Sequence, residues 1–460
     1  MGNLWVRFSC STQLYLIIHQ NCITNIFLSI FYAIDVLAYS LGGAIEFLQR
    51  RSDLYGPNYA SLGRIICGEY NKCAKIINSP QQRGAFLGRA RLMPSRVFSN
   101  FPLFLSDSDA GGSDLHEILH QHFWVELSTS AFGRLSDSAF QDYLREGVEK
   151  INANGKARNV KKVVQEMTAK YIFHAIFGLV LTEEQVKAVT DLFFSNGLTS
   201  SYVGGALRPY AVPFGCLQCK RRRLISSLTE LVMSSPALEN YVPNDSTVFM
   251  SKIRYAELML ELTGIAGCLG SFNLCMQVLN DIPQEYPINL EDKMEMTLAV
   301  LEAARLRAPV NNVNVILHKE MALSVNYTPY VFPRGTVVAA SIGLASLDPN
   351  EFDQPMEFNP KRSNLIKSNI NFNHVGFSPV GSGKRQCPGR NIAMKMACDL
   401  LVENRKSSAP PINTYGSIAW AFDLDKEQPA DSENYCQVRI KGKYQRHETT
   451  SQKHIVSVEI

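Results

Sequence analysis

The sequence predicts a mainly α fold with a minor β-sheet, and three observations lead there. Helical patterning dominates residues 115–308. The stretch TVVAASIGLA, residues 336–345, reads instead as strand. The chain has 460 residues, 46% hydrophobic and 19% charged, enough to bury one large core or two to three ordinary ones.

Taken in order, the chain begins with a stretch between Arg7 and Asp35 that holds no Lys, Arg, Asp or Glu. It exceeds the ~20 residues of a bilayer span, but His19, Gln20, Asn21, Thr24 and Asn25 interrupt it, and its longest apolar run, IFLSIFYAI, is short. It reads as a weak membrane anchor or as an interfacial segment, with no small-residue cleavage pattern of a signal peptide. The organisation expected is therefore an N-terminal apolar segment, residues 1–36, and a folded domain, residues 37–460. In that domain LGGAIEFLQRR is helical and YGPNYASLG is a turn leading into extended chain. Pro and Asn punctuate 348–379 as an ordered loop region, and APPINTYGSIAWAF in the last fifty residues suits short strands. No repeat of 20 to 50 residues is visible.

The balance of 46 basic and 42 acidic residues, net +4, excludes nucleic acid as the main partner. Eleven cysteines, an odd number in a long chain without a dense framework, indicate mostly reduced thiols and an intracellular setting.

Four stretches carry candidate chemistry. HEILHQHFW, residues 116–124, contains H-E-x-x-H, the helical spacing with which zinc proteases hold their metal through residues such as His116 and His120. Its extended form fails because Phe123 takes the glycine position, and His116, Leu119, His120, Phe123 and Trp124 also form an ordinary packed stripe, so a zinc metalloprotease is a remote reading. CLQCKRRR, residues 216–223, is half a zinc site with no second C-x-x-C, and reads as a solvated basic loop suited to anionic lipid. In LEAARLRAPV, a helix running from about Glu291 is expected to bury Met294, Leu298 and Leu301, to pair Glu302 with Arg305 at i, i+3, and to end at Pro309.

The fourth stretch is SPVGSGKRQCPGR, residues 378–390. As a phosphate loop it fails at Ser378 and Arg385, two of four fixed positions. As a cysteine loop it is coherent. Pro388 suits a first helical position, and Ile392, Met396 and Leu400 recur at helical spacing, which puts Cys387 at a helix start. Free amides there, with Lys384 and Arg385, favour thiolate. Gly381, Gly383 and Gly389 allow close approach to something flat and large, and a thiolate so held is a ligand for haem iron.

These residues resemble the ligand loop of the cytochrome P-450 family, F-x-x-G-x-R-x-C-x-G: Gly383, Arg385, Cys387 and Gly389 match in register, with Val380 in the phenylalanine position. KRQCPGR is most similar to the fatty-acid hydroperoxide branch, the allene oxide synthase and hydroperoxide lyase-like enzymes. Glu302 and Arg305 match the family's E-x-x-R, and Pro360 and Arg362 its P-x-R. The resemblance covers roughly residues 37 to 405. It implies a helix-rich fold with haem between a long central helix and the cysteine loop. Cys387 is then the catalytic axial ligand, and Arg385, Gly383, Gly389 and His120 lie around the cofactor. It further implies monooxygenase-type oxidation of a lipophilic small molecule (lipid, sterol or terpenoid-like), with NADPH and O2 used through a separate reductase, at the endoplasmic reticulum membrane facing the cytoplasm.

Two departures bear on the reaction. Ala266, Gly267 and Cys268 align with the family's A-G-x-[DE]-T, but Leu269 replaces the acid and Gly270 the threonine that deliver protons. Only 31 residues separate Gly270 from Glu302, few for the family's intervening helices. The competing reading is therefore rearrangement or cleavage of a fatty-acid hydroperoxide or endoperoxide, which needs no reductase, O2 or proton relay.

Overall fold

Where apolar residues recur at helical spacing the chain is helical, and the helices enclose two small sheets. The computed structural model describes residues 2–18, 27, 31, 34–35, 44–61, 64–78, 83–84, 129–154, 157–194, 215–239, 251–317, 319–362 and 387–407. All of them lie in one compact unit, Met1–Phe422. In chain order the elements are α1 (Gly2–Ile18), α2 (Ala44–Tyr55), β1 (Asn58–Ser61), β2 (Arg64–Cys67), α3 (Tyr70–Asn78), β3 (Arg83–Gly84), α4 (Thr129–Arg134), α5 (Ala139–Asn154), α6 (Ala157–Phe177), α7 (Glu183–Phe193) and α8 (Gly215–Met233). Then come α9 (Lys252–Leu262), a π turn (Thr263–Cys268), α10 (Leu269–Asp281), α11 (Lys293–Leu306), β4 (Asn312–Ile316), β5 (Met321–Val325), β6 (Thr328–Phe332), β7 (Val337–Ser341), α12 (Ile342–Ala345) and α13 (Arg390–Lys406).

The larger sheet runs β1-β2-β7-β4-β3, with β2 and β7 parallel and the other pairs antiparallel. Its centre, β7, is buried at every residue, because side chains alternate between two covered faces. Ile65, Val338 and Ala340 enter the core beneath α11 and α13, while Ile66 and Ala339 enter a smaller cluster with Phe47, Leu48 and Tyr59. The stretch expected to be strand throughout, TVVAASIGLA, stops pairing at Ser341. Ser341 faces Asn312, the first residue of β4, so the chain beyond it has no further β4 partner and turns into α12. Strands β5 and β6 form a separate hairpin whose turn residues, Asn326 and Tyr327, both have positive φ (52° and 63°), the left-handed pair that a tight hairpin requires.

Three further expectations change on folding. CLQCKRRR is not a loop but lies in the first half of α8, whose later turns bury Leu228 and Val232. The helix at 291 begins at Lys293, with the Asp292 carboxylate accepting from the amides of Met294 (2.8 Å) and Glu295 (3.2 Å). Met294 therefore sits in a surface first turn, 42% exposed, and the buried apolar residues are Met296, Ala299, Val300, Leu301, Ala303 and Ala304, with Leu298 half-buried. The same helix ends at Leu306, three residues short of Pro309, and Arg307 beyond it pairs with Asp281 at 3.1 Å. The strands expected after residue 408 lie outside the described residues.

Within the apolar N-terminal stretch, α1 packs against β1 and β2 and buries Leu14, Leu16 and Ile17. A buried polar knot fastens this region. The Asp35 carboxylate accepts from Gln13 Nε2 (2.8 Å), Ser61 Oγ (2.7 Å) and Arg51 Nη2 (3.0 Å), and the Arg51 guanidinium lies 3.5 Å over the Phe47 ring. Asp35→Ala leaves the Arg51 charge buried without this carboxylate, so urea unfolding should show a loss of about 3 kcal/mol or more; an unchanged midpoint would contradict the knot's role.

Candidate active site

Glu302, on the inward end of α11, is fully buried, as is Arg305. Its carboxylate accepts from Arg305 Nε at 2.8 Å and Nη2 at 2.9 Å, a bidentate pair. It also accepts from Arg362 Nε at 3.0 Å and from the Asn359 amide at 2.9 Å. The remaining guanidinium donors go to backbone carbonyls. Arg305 donates to Ser346 O (2.7 Å) and Glu357 O (3.3 Å), and Arg362 to Asp353 O, Gln354 O (2.9 Å) and Glu357 O (2.9 Å). Arg305 also lies 5.1 Å over the Phe352 ring. One carboxylate thus fixes both the end of α11 and the loop at 346–362, the chain that leads toward Cys387.

Cys387 stands immediately before α13, whose N-cap is Gly389 and has no side-chain cap. The Arg390 amide donates to the Cys387 carbonyl at 3.5 Å, and the amides of Gly389 and Arg390, with the Arg390 charge, pull the nearby sulfur toward its ionised form. A Cβ on Gly389 would stand 4.0 Å from Sγ. Pro388 lies in the turn before the helix and not at its first position. Burial nonetheless dominates, pushing the Cys387 thiol above its ordinary value against the opposing pull of those amides and Arg390. Burial and the helix-start amides thus pull the Cys387 thiol in opposite directions. Lys384 and Arg385, invoked from sequence, lie outside the described residues, as do Gly381, Gly383 and the HEILH residues His116 and His120. Among the described residues no group of three or more His, Cys, Asp or Glu is placed to hold a metal ion.

Helix α13 is held firmly. Ile392, Met396 and Leu400 enter the core shared with α5, α6 and α10, while Met394, Ala397 and Leu401 enter the one shared with α11 and the large sheet. It packs along α10, the second half of the long central helix. In that helix the π turn Thr263–Cys268 carries TGIAGC, a local widening that sequence periodicity does not reveal. Around it the helix has two faces. Gly264 and Cys268 are buried, whereas Ala266 is exposed and Ile265, Leu269 and Gly270 are partly so. A Cβ on Gly270 would meet nothing within 4 Å. The open wall is apolar and carries neither acid nor hydroxyl at 269 and 270.

The connection from α10 to α11, residues 282–292, contains no helix. It is tied down instead. Arg405 near the end of α13 donates to Gln284 O and to Pro283 O (2.7 Å), and Tyr286 meets Phe358 edge-on at 5.2 Å.

Residues 276–403 match the family model for cytochrome P450. Among curated proteins, the (+)-menthofuran synthase of Mentha piperita is 36% identical over 108 residues, 23% of this chain and 21% of that protein. A cholesterol 22-monohydroxylase of Trigonella foenum-graecum is 38% identical over 109 residues, 22% and 21% of the two chains. The match thus spans about a fifth of those relatives' own length. Among solved structures, a cyanobacterial protein with retinoic acid bound superposes with TM-score 0.56 at 14% identity, covering 80% of this chain and 89% of that one. A six-coordinated cytochrome P450 from Thermus thermophilus gives 0.55 at 15%, covering 78% and 88%.

The chain has the cytochrome P450 fold.

That family carries haem. Two features of this chain fit the group: a cysteine at a helix start whose sulfur feels the pull of the Gly389 and Arg390 amides, and an open, uncharged wall at Ala266 and Gly270 on the central helix. Two measurements check the site. Arg305→Ala leaves Glu302 buried with half its donors gone, which should cost about 3 to 5 kcal/mol and yield insoluble or unfolded protein; soluble protein with wild-type melting would contradict the lock. A raised Cys387 pKa means less thiolate at neutral pH than an ordinary thiol has. Its alkylation by iodoacetamide should therefore be slower than that of a free cysteine at pH 8 and accelerate as pH rises; faster alkylation at neutral pH would reverse the sign.

Proposed function

We propose that this chain is a haem-thiolate monooxygenase that oxidises a lipophilic small molecule of terpenoid, sterol or lipid type, with Cys387 as the axial ligand of the iron. The observation that carries the reading is the placement of Cys387 directly before α13, where the amides of Gly389 and Arg390 pull on its sulfur. Bound haem would supply the redox-active iron, and a thiolate ligand pushes electron density onto it. The names of the relatives, a menthofuran synthase and a cholesterol hydroxylase among them, support oxidation of lipophilic substrates. NADPH and O2 through a separate reductase belong to the same proposal. So do contacts of Gly383, Arg385 and His120 with the cofactor, and association with the endoplasmic reticulum membrane through residues 1–36.

The chain's own residues define the setting of the reaction. Ile265, Ala266 and Leu269 exclude water from their stretch of wall, and Gly270 leaves space for substrate. None of them moves a proton. In a monooxygenase that task falls to an ordered water or to a substrate hydroxyl.

The same apolar wall favours a second reading, in which the substrate brings its own O–O bond and is rearranged or cleaved, as the QCPG resemblance to the hydroperoxide branch suggests. One experiment separates the two. Haem-loaded protein is given a fatty-acid hydroperoxide without reductase and without oxygen, and in parallel a panel of terpenoids and sterols with reductase, NADPH and O2. Product only in the second arm is expected. Rapid turnover in the first would overturn the proposal in favour of peroxide chemistry.

A further inference from the structure

The π turn in the central helix lies against the end of α7. An ideal Cβ on Gly264 would lie 2.2 Å from Phe193 Cζ and 2.3 Å from both Phe193 Cε atoms, so the tip of the Phe193 ring rests on the helix backbone where only glycine fits. One turn on, a Cβ on Gly267 would come to 3.3 Å from Ile172 Cγ2 of α6. The next residue of the α7 terminus, Phe194, meets Phe272 edge-on with ring centroids 5.4 Å apart. The end of α7 therefore touches the central helix at 264 and at 272, on either side of the π turn. In a regular α-helix those positions would lie roughly 12 Å apart. The π turn places an extra residue in that span, and the residues turned away from Phe193 are those of the open wall, Ala266 and Gly270.

We infer that Phe193 is a positioning residue for the active site: its ring, seated on Gly264, sets how far the Ala266–Gly270 wall stands into the site and so the size of the group admitted there. The inference rests on the haem-thiolate reading of that site. Phe193 is fully buried in the core and acts through the backbone of the π turn. Its removal lets the helix relax toward α7, which widens the site, while a methyl on Gly264 forces the helix away from α7, which narrows it.

The test compares two iron ligands of different size, imidazole and 4-phenylimidazole, by optical titration of haem-loaded wild type and of Phe193→Leu, Phe193→Ala, Gly264→Ala and the Phe193→Ala/Gly264→Ala double variant. The readout is the ratio of the two affinities, which a loss of stability alone does not move. Relative to wild type, Phe193→Ala should shift the ratio about tenfold toward the larger ligand, with Phe193→Leu between them, and Gly264→Ala should shift it the other way. The double variant, in which the methyl occupies the space the ring vacated, should return within about threefold of wild type. A ratio unchanged in all soluble variants, with only the melting temperature lowered, would overturn the inference and leave Phe193 as packing. A wild-type protein whose reduced, carbon-monoxide-treated spectrum lacks the thiolate signature would overturn the haem-thiolate reading instead, so the two failures are distinguishable. Phe193→Leu, the least disruptive change, keeps the test decisive if the glycine variants do not fold.

Discussion

The rest of the structure depends on one carboxylate that has no access to water. Glu302 is held by two guanidiniums and a backbone amide, and those guanidiniums in turn bind carbonyls at Ser346, Asp353, Gln354 and Glu357. Taking such charges out of water costs several kcal/mol each, and the mutual attraction returns that only when nearly every donor and acceptor is used. A set satisfied this completely contributes little net stability, but it admits very few alternative arrangements. That suits its place in the chain. The loop it fixes has little regular structure of its own, yet it leads toward Cys387, the ligand proposed for haem iron.

The second constraint is the double burial of α13. Because its two faces enter two different cores, the helix can neither roll nor slide without opening one of them, and the sulfur ahead of it inherits that rigidity. The short connection between α10 and α11 contributes as well. With no intervening helices, residues 283–286 bind directly to Arg405 at the far end of α13 and to Phe358 in the loop that Glu302 governs. What is missing in length is replaced by ties to the two elements that frame the cysteine.

Much of this was legible in the sequence, for identifiable reasons. The pairing of Glu302 with Arg305 follows from helical spacing, and the helix after Cys387 from its apolar period, because both are local. The turn at Gly56 and the strand from Asn58 follow from turn chemistry, which is also local. What escaped depends on partners distant in sequence. Backbone carbonyls such as Ser346 O have no residue signature, so the destinations of the guanidinium donors could not be read. The break between Ser341 and Ile342 depends on where β4 begins. The close seat of Phe193 on Gly264 within the π turn joins residues some seventy apart; the pair Gly264 and Gly267 was the only signal available, and glycine is too common to carry it alone. The burial that pushes the Cys387 thiol up, against the pull of the helix-start amides, is likewise a tertiary property that the sequence does not display.

The central claim is that this framework holds the Cys387 sulfur as an anion against haem iron. The most direct test is the absorption spectrum of the purified, haem-loaded protein after reduction and exposure to carbon monoxide, measured beside Cys387→Ala. The account predicts the long-wavelength Soret band characteristic of thiolate ligation in the wild type and its loss in the variant. A wild-type band at the shorter wavelength of a neutral ligand, or a thiolate band that survives the substitution, would contradict it.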